Sequence, residues 1–172
     1  LLNFSAYDTG VRALAWIVEE RALRNALLPQ LHAAGVHVLA PAAIAAIAWA
    51  QDAGTVAFAD GRQVGARLVI GAAGIAAAPR AYAQVGVVAN FACARAHHGR
   101  AHQWFRPDAG VLAWLPLPGR RISMVWSAPE ALAAELLALD APALAERVAA
   151  AGRMALGPLS ALGPAARFPL RF

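Results

Sequence analysis

The chain has 172 residues, enough for one domain or one and a half, and its 60% hydrophobic content with only 15% charged residues excludes a disordered segment. No apolar run without charges or Pro and Gly breaks reaches the roughly 18 residues of a membrane-spanning helix. The formal net charge is +5 and every basic residue is arginine, but these arginines are scattered along the sequence, so we expect no nucleic-acid partner.

The first third of the chain predicts short strands around one amphipathic helix. Residues 1–6 and 13–18 are strand-like and flank a turn at residues 8–10. A helix is predicted over residues 19–34, because leucines recur at helical spacing and a glycine follows, although Pro29 should kink or shorten it. Residues 36–39 predict another short strand. Because the chain opens within a strand-like run, we expect it to be a piece of a longer chain.

The next segment predicts three strands and a glycine-rich turn. Strands are expected over residues 43–50, 55–59 and 67–70, with turns at residues 51–54 and 60–61. The third is expected to be buried and to run directly into the turn.

Beyond residue 84 the pattern changes to a sheet followed by two helices. Loops of hairpin length predict an antiparallel meander. The first helix is expected to have Ser127 as its N-cap, and the second to lie between Asp140 and Gly152. The fold class is therefore α+β, with a division into residues 1–84 and 85–172. The predicted strands cover residues 85–95, 101–105, 111–117, 121–127 and 163–172, and the predicted helices cover 129–137 and 141–151.

The segment 67–80 is the most informative motif. It carries two glycines, Gly71 and Gly74, followed by Arg80 at a fixed spacing. This resembles the second flavin motif of the FAD-dependent aromatic-ring hydroxylases, G-A-D-G-x-x-S-x-x-R. The motif's Asp and Ser are replaced by Ala73 and Ala77.

Three other segments carry the same resemblance in the same order. Residues 15–21 and the helix after them resemble the strand-to-helix passage that these hydroxylases place beside the flavin. Residues 114–127 are similar to the substrate-domain sheet of the ubiquinone-biosynthesis branch. Residues 167–170 are similar to the run before that family's third flavin motif.

The resemblance implies part of a two-domain monooxygenase that uses FAD and NAD(P)H to hydroxylate a polyprenylated phenol or quinol in ubiquinone biosynthesis. Residues 1–84 would be the central part of its FAD-binding α/β domain, and residues 85–172 its mixed or antiparallel substrate-domain sheet with helices. The cofactor-binding positions implied are Arg21, Gly71, Ala73, Gly74 and Arg80.

The family places an aromatic substrate pocket against one face of that sheet. Strand alternation puts Leu112, Trp114 and Pro116 on a common face, so these three are the candidate pocket residues. The competing interpretation is that they are core residues.

Two features depart from the family pattern. The chain has no G-x-G-x-x-G loop, which holds the pyrophosphate in the family, and its second motif is altered at Ala73 and Ala77. One interpretation is an ordinary hydroxylase with a divergent motif, of which the 172 residues alone would be inactive. The other is a degenerate, non-catalytic relative that binds a quinone precursor or a partner enzyme. An unrelated α+β domain would require the ordered match to be chance.

No residue is identified as catalytic, and no metal site is expected. His97, His98 and His102 lack a closed ligand set with zinc-like spacing. The single cysteine, Cys93, fits a reducing compartment, so a cytoplasmic location is expected, with possible peripheral membrane contact through an apolar substrate. A complex with other ubiquinone-biosynthesis proteins is a further expectation.

Overall fold

A computed structural model describes residues 2–71 and 81–171, with the side chains of residues 81–83 and 171 left out. The contacts divide the chain into two compact units. One comprises residues 19–78, and the other comprises residues 79–172 together with residues 1–18. The predicted division at residue 84 remains a prediction.

The unit of residues 19–78 begins with the predicted helix, α1, over Glu20–Ala33. It ends at Gly35, whose φ of 71° suits only a residue without a Cβ, while the N–H of Val36 donates to the carbonyl of Leu31. The helix runs through Pro29, so the expected shortening is wrong. None of its residues is buried, and its leucine face is solvent-exposed.

A three-stranded antiparallel sheet completes this unit. Its order is β1 (Ile44–Trp49), β2 (Gly54–Phe58) and β3 (Gln63–Ala66). The turn between β2 and β3 is held by Asp60, whose carboxylate accepts from the backbone N–H and from Nε of Arg62. These hydrogen bonds and the adjacent guanidinium lower the pKa of Asp60.

The third strand of this sheet covers residues 63–66, whereas the sequence predicts a strand over residues 67–70. The Asp60 turn fixes the hairpin register, and Gly54 at the start of β2 pairs with Ala66, so β2 has no partner position left for residues 67–70. The prediction of a buried strand there is wrong, since Leu68 is 73% exposed and Ile70 is 79% exposed. The strands expected over residues 1–6, 13–18 and 36–39 also do not form within the described residues, where these segments find no partner strand.

The unit of residues 79–172 is built on a six-stranded antiparallel sheet. Its strand order is β5-β6-β7-β4-β8, and β9 also pairs with β4. Two helices follow β7 in the chain. The bounds are β4 Ala81–Cys93, β5 His102–Arg106, β6 Gly110–Leu117, β7 Arg121–Pro129, α2 Glu130–Ala138, α3 Ala141–Ala151, β8 Leu159–Ala161 and β9 Ala166–Arg171.

The expected four-stranded meander is correct for β5, β6 and β7 only. β4 does not lie beside β5. It lies on the other side of β7, with which it pairs, and Val88 is opposite Val125. It is the longest strand, with 13 residues, and it pairs on its other side with β8 and β9. Loop lengths alone do not distinguish these two orders.

The two helices are found close to the predicted positions. α3 matches the prediction at both ends, because the Asp140 carboxylate accepts from the N–H of Ala143 at 2.8 Å and Gly152 is the C-cap. α2 begins after Pro129, and Ser127 is not its cap. Ser127 lies in β7, and its hydroxyl donates to the side-chain oxygen of Gln84 on β4.

One face of the large sheet, the inner face, forms the hydrophobic core together with α2 and α3. Its side chains are buried against apolar residues of the two helices. The core indole of Trp126 donates to the carbonyl of Ala109 at 2.7 Å. The inner-face residues are Val85, Val87, Ala89, Phe91, Leu112, Trp114, Ile122, Met124 and Trp126, and the helix residues include Ala133, Leu136, Leu144, Ala145 and Val148.

The indole of Trp114 lies against Gly152, the C-cap of α3. A Cβ at Gly152 would overlap the indole ring of Trp114, so only glycine allows the C-cap to lie on this side chain. The fit buries the indole Nε1 without a hydrogen-bond partner among the described residues. Burial of the large ring offsets the cost of that unpaired donor.

We expect Gly152→Ala to lower the free energy of unfolding by about 1–3 kcal/mol, because the added methyl group overpacks a closed core. Urea unfolding followed by tryptophan fluorescence measures this change. Gly163→Ala is the matched control, since a Cβ at Gly163 would meet no atom within 4 Å. Equal effects of the two substitutions would contradict the assigned contact.

Candidate functional site

The other face of the large sheet, the outer face, is only half-covered. Its side chains alternate with those of the core along each strand, and strand register aligns them in rows. The central row runs from Ala113 through Val125 to Val88. The outer-face residues are Gln103, Phe105, Val111, Ala113, Leu115, Ser123, Val125, Ser127, Val88 and Asn90.

The centre of the outer face is apolar and is lined by small side chains. Ala113 and the two valines beside it are half-buried, while Phe105 at the β5 edge is 75% exposed. Phe168, opposite Gly86 on the far side, is 51% exposed. The two phenylalanines lie at the ends of the row next to the central one, so the small side chains of the central row leave room beside them for a flat, apolar ligand.

Polar groups surround the apolar centre of this surface. At one border Ser123 pairs with Asn90 across the strands. At the other border the Ser127 hydroxyl donates to Gln84, and Gln103 on β5 lies beside Ala113.

Arg121, two residues before Ser123, is the one charged outer-face side chain on the described parts of β4, β6 and β7. Its Nε donates to the carbonyl of Pro118. The outer face is therefore apolar along Ala113, Val125 and Val88 and polar around them.

The candidate pocket residues lie on the opposite face. Leu112 and Trp114 are 0% exposed within the core, and Pro116 is half-buried. A ring could reach the first two only if α2 and α3 moved away, so the structure supports the core interpretation for them. Alternation groups the residues of one face correctly, but it does not say which face the helices cover.

The candidate cofactor residues are not gathered into one site among the described residues. Arg21 lies in the first turn of α1, exposed and without an ion pair to any described residue. Gly71 is exposed, its φ is not positive, and a Cβ there would meet no atom within 4 Å. Ala73, Gly74 and Arg80 lie outside the described residues.

An aromatic cluster borders the core at the β5 edge. The imidazole of His102 stacks on Trp104 with centroids 5.6 Å apart, and Trp104 meets Trp114 edge-on at 4.9 Å. Burial lowers the pKa of His102 below its usual 6.5, and the charge of Arg100 and the neighbouring imidazole of His97 lower it further. His102 pairs directly with Trp114, and Trp104 lies two residues further along β5 on the same face. The sequence does not predict this cluster, because it depends on the register between β5 and β6.

His97 has a structural role that sequence reasoning missed. Its Nε2 lies 3.0 Å from the carbonyl oxygen of Leu117 and 2.8 Å from that of Gly119, and the N–H of Gly99 donates to its Nδ1. Since Nδ1 accepts, Nε2 carries the proton and donates. His97 thus joins the β4–β5 loop to the β6–β7 turn. Over residues 2–71 and 81–171, no group of His, Cys, Asp and Glu is arranged to hold a metal ion.

Comparison with known proteins gives the family. No family model matches the chain. It is 37% identical over 139 residues to the ubiquinone hydroxylase UbiL of Rhodospirillum rubrum, a match that covers 74% of this chain and 32% of UbiL. The chain belongs to the FAD-dependent hydroxylase family. It spans about a third of the length of this curated relative.

Solved structures show the same fold. The hydroxylase-family chain matches PqsL of Pseudomonas aeruginosa, a probable FAD-dependent monooxygenase, with a TM-score of 0.59 and 24% identity over 88% of this chain and 47% of PqsL. PqsL is also known in complex with 2-aminobenzoylacetate. A flavoprotein/dehydrogenase of Cytophaga hutchinsonii matches with a TM-score of 0.62 and 15% identity. The match covers 90% of this chain and 42% of the Cytophaga protein.

Two remaining observations concern membrane and thiol chemistry. Within the described part of the chain, no helix is both long and apolar enough to cross a membrane. Cys93 is buried at the end of β4, as expected, and burial raises the pKa of its thiol. A raised pKa disfavours the reactive thiolate.

The lowered pKa of His102 predicts a loss of stability in acid. The unfolded chain takes up a proton near pH 6.5, whereas the folded chain resists it, so the free energy of unfolding should fall as the pH drops through 6.5 and below. Urea unfolding above and below pH 6.5 measures the effect. His102→Gln should flatten this dependence and His98→Asn, at an exposed loop position, should not. A His102→Gln protein with the original pH dependence would contradict the assignment.

Proposed function

We propose that this chain forms the ring-binding sheet and part of the flavin domain of a monooxygenase that hydroxylates a polyprenylated phenol or quinol in ubiquinone biosynthesis. The match to UbiL supports the substrate class, and PqsL supports an aromatic ligand in this fold. The observation that carries the proposal is the outer face, whose apolar centre is open to a flat ring while the inner face is closed.

The outer face supplies binding and orientation rather than acid–base chemistry. Ala113, Val125 and Val88 would contact the ring plane, because their short side chains allow close approach to the backbone. Ser123 and Asn90 at the border offer hydrogen-bonding groups that a ring hydroxyl would meet. Exclusion of water by the apolar rows would favour oxidation of the ring over side reactions with water.

The cofactor implied by the family fits some of the residues present. Arg21 is an exposed guanidinium with no carboxylate partner among the described residues, and such a donor suits a phosphate or flavin oxygen. When bound, FAD would pass two electrons from NAD(P)H to dioxygen, so that one oxygen atom enters a ring C–H bond and the other leaves as water. Gly71, Ala73, Gly74 and Arg80 are the proposed positions of further cofactor contact.

A second function is favoured by one specific observation, the replacement of the motif's Asp and Ser by Ala73 and Ala77. A degenerate relative would keep the sheet and bind a quinone precursor or a partner enzyme without turnover. The visible spectrum of the purified protein that contains this chain separates the two. Flavin bands that bleach with NAD(P)H under anaerobic conditions support the enzyme. A colourless protein that takes up no added FAD supports the binder.

The outer face predicts a substitution that separates binding from folding. Ala113→Trp fills the centre of the face, so we expect quinol-dependent oxygen uptake to fall at least about tenfold, as expected when a misplaced ring loses its reactive geometry. The free energy of unfolding should change by less than about 1 kcal/mol, because the new ring points away from the core.

Ala134→Trp, at an exposed position of α2 on the other side of the sheet, is the matched control and should retain turnover. Activity and urea unfolding are measured on all three proteins. Full quinol-dependent turnover by the Ala113→Trp protein would contradict the assignment of the outer face.

A further inference from the structure

Arginines that are scattered in the sequence meet at one end of the large sheet. Three segments come together there: the β4–β5 loop at residues 94–101, the β6–β7 turn at 118–121, and the segment after α3 at 152–158. We name this surface the basic end. Its five arginines are Arg95, Arg100, Arg120, Arg121 and Arg153.

The three segments are hydrogen-bonded to one another, so the basic end is a fixed surface. The N–H of Arg95 donates to the carbonyl of Leu156 at 2.9 Å, and that of Ala94 donates to Pro158 at 3.1 Å. The guanidinium of Arg120 donates back to the carbonyl of Ala94. His97 adds the bridge to the carbonyls of the β6–β7 turn.

No carboxylate balances this charge. The three segments contain no Asp or Glu, and the ion pairs found among the described residues all use other arginines. The five arginines therefore carry a charge equal to the formal net charge of the whole chain, +5. Four of the five side chains are exposed and Arg121 is half-buried.

The surface between the arginines is apolar and not aromatic. Met154 is 44% exposed, and Pro118 and Pro158 of the same three segments are exposed as well. The three segments contain no Trp, Tyr or Phe on which nucleic-acid bases would stack. They also present no helix or ribbon that would enter a groove. An anionic lipid surface satisfies both the charge and the flexible apolar side chain.

We propose that the basic end docks this chain on an anionic phospholipid membrane surface. The arginines bind lipid phosphates, for which the guanidinium is well suited, and Met154 enters the headgroup layer. The inference goes beyond the proposed function, since it depends on no cofactor or turnover. It gives the expected peripheral membrane contact a defined location.

Vesicle binding by the purified 172-residue chain tests the proposal. Co-sedimentation is measured with vesicles of phosphatidylcholine containing phosphatidylglycerol and with vesicles of phosphatidylcholine alone, at low and high salt. We expect binding to the anionic vesicles only, weakened by salt. Arg95→Gln, Arg100→Gln and Arg153→Gln together should lower the partition coefficient roughly a hundredfold, at about fivefold for each arginine.

The matched control removes the same charge elsewhere, as Arg12→Gln, Arg24→Gln and Arg67→Gln at exposed positions. It should bind nearly as well as the unmodified chain, and circular dichroism confirms that both variants are folded. Equal losses in the two triple variants would overturn the proposal in favour of net charge alone. Failure of the unmodified chain to bind anionic vesicles would overturn the proposal outright. So would a basic-end triple variant that no longer binds RNA but still binds the vesicles.

A second readout reports orientation and does not depend on removing charge. Met154→Cys provides a labelling position for a polarity-sensitive dye, because the natural thiol, Cys93, is buried. The dye emission should shift to the blue on anionic vesicles. Ala131→Cys, at an exposed position in the first turn of α2 and directly after the far end of β7, should show no shift. The reverse pattern would overturn the proposal.

Discussion

The contact between Trp114 and Gly152 decides which face of the sheet is closed. The indole lies under the C-cap of α3, and no larger residue fits at position 152 without moving either partner. With α3 held there, the inner face becomes dry core, and the alternate residues of the same strands are left half-open. The packing of α3 against one face therefore decides both which residues form the core and which face stays accessible to a ligand, since a strand presents only two faces.

The division between the faces explains why this fold needs few chemical groups of its own. The outer face has an apolar centre with hydrogen-bonding residues around it, which suits positioning of a ring. In the proposed function the redox chemistry belongs to a cofactor, and the sheet supplies orientation and the exclusion of water. The helix α1, with its exposed leucine face, and the exposed Arg21 belong to the other unit.

Local signals in the sequence predict some features of the fold well. Asp140 and Gly152 bound α3 correctly because capping is a local interaction, and the α+β class follows from periodicity. The position of β4 beside β7 was not predictable from loop lengths, because it depends on pairing between distant segments. The same limit applies to Leu112 and Trp114, whose shared face is evident in the sequence while its helical cover is not. It applies also to the arginines, which are separated along the chain and adjacent in the fold.

The most direct test of the two-faced sheet is methyl NMR of the chain, labelled at its valine and leucine methyl groups and titrated with the ubiquinol headgroup without its tail. We predict concentration-dependent shifts for the outer-face methyls of Val88, Val111 and Val125. The inner-face methyls of Val87 and Leu112 should not move. Shifts confined to the inner face would contradict the account, and so would a spectrum that does not respond to the quinol.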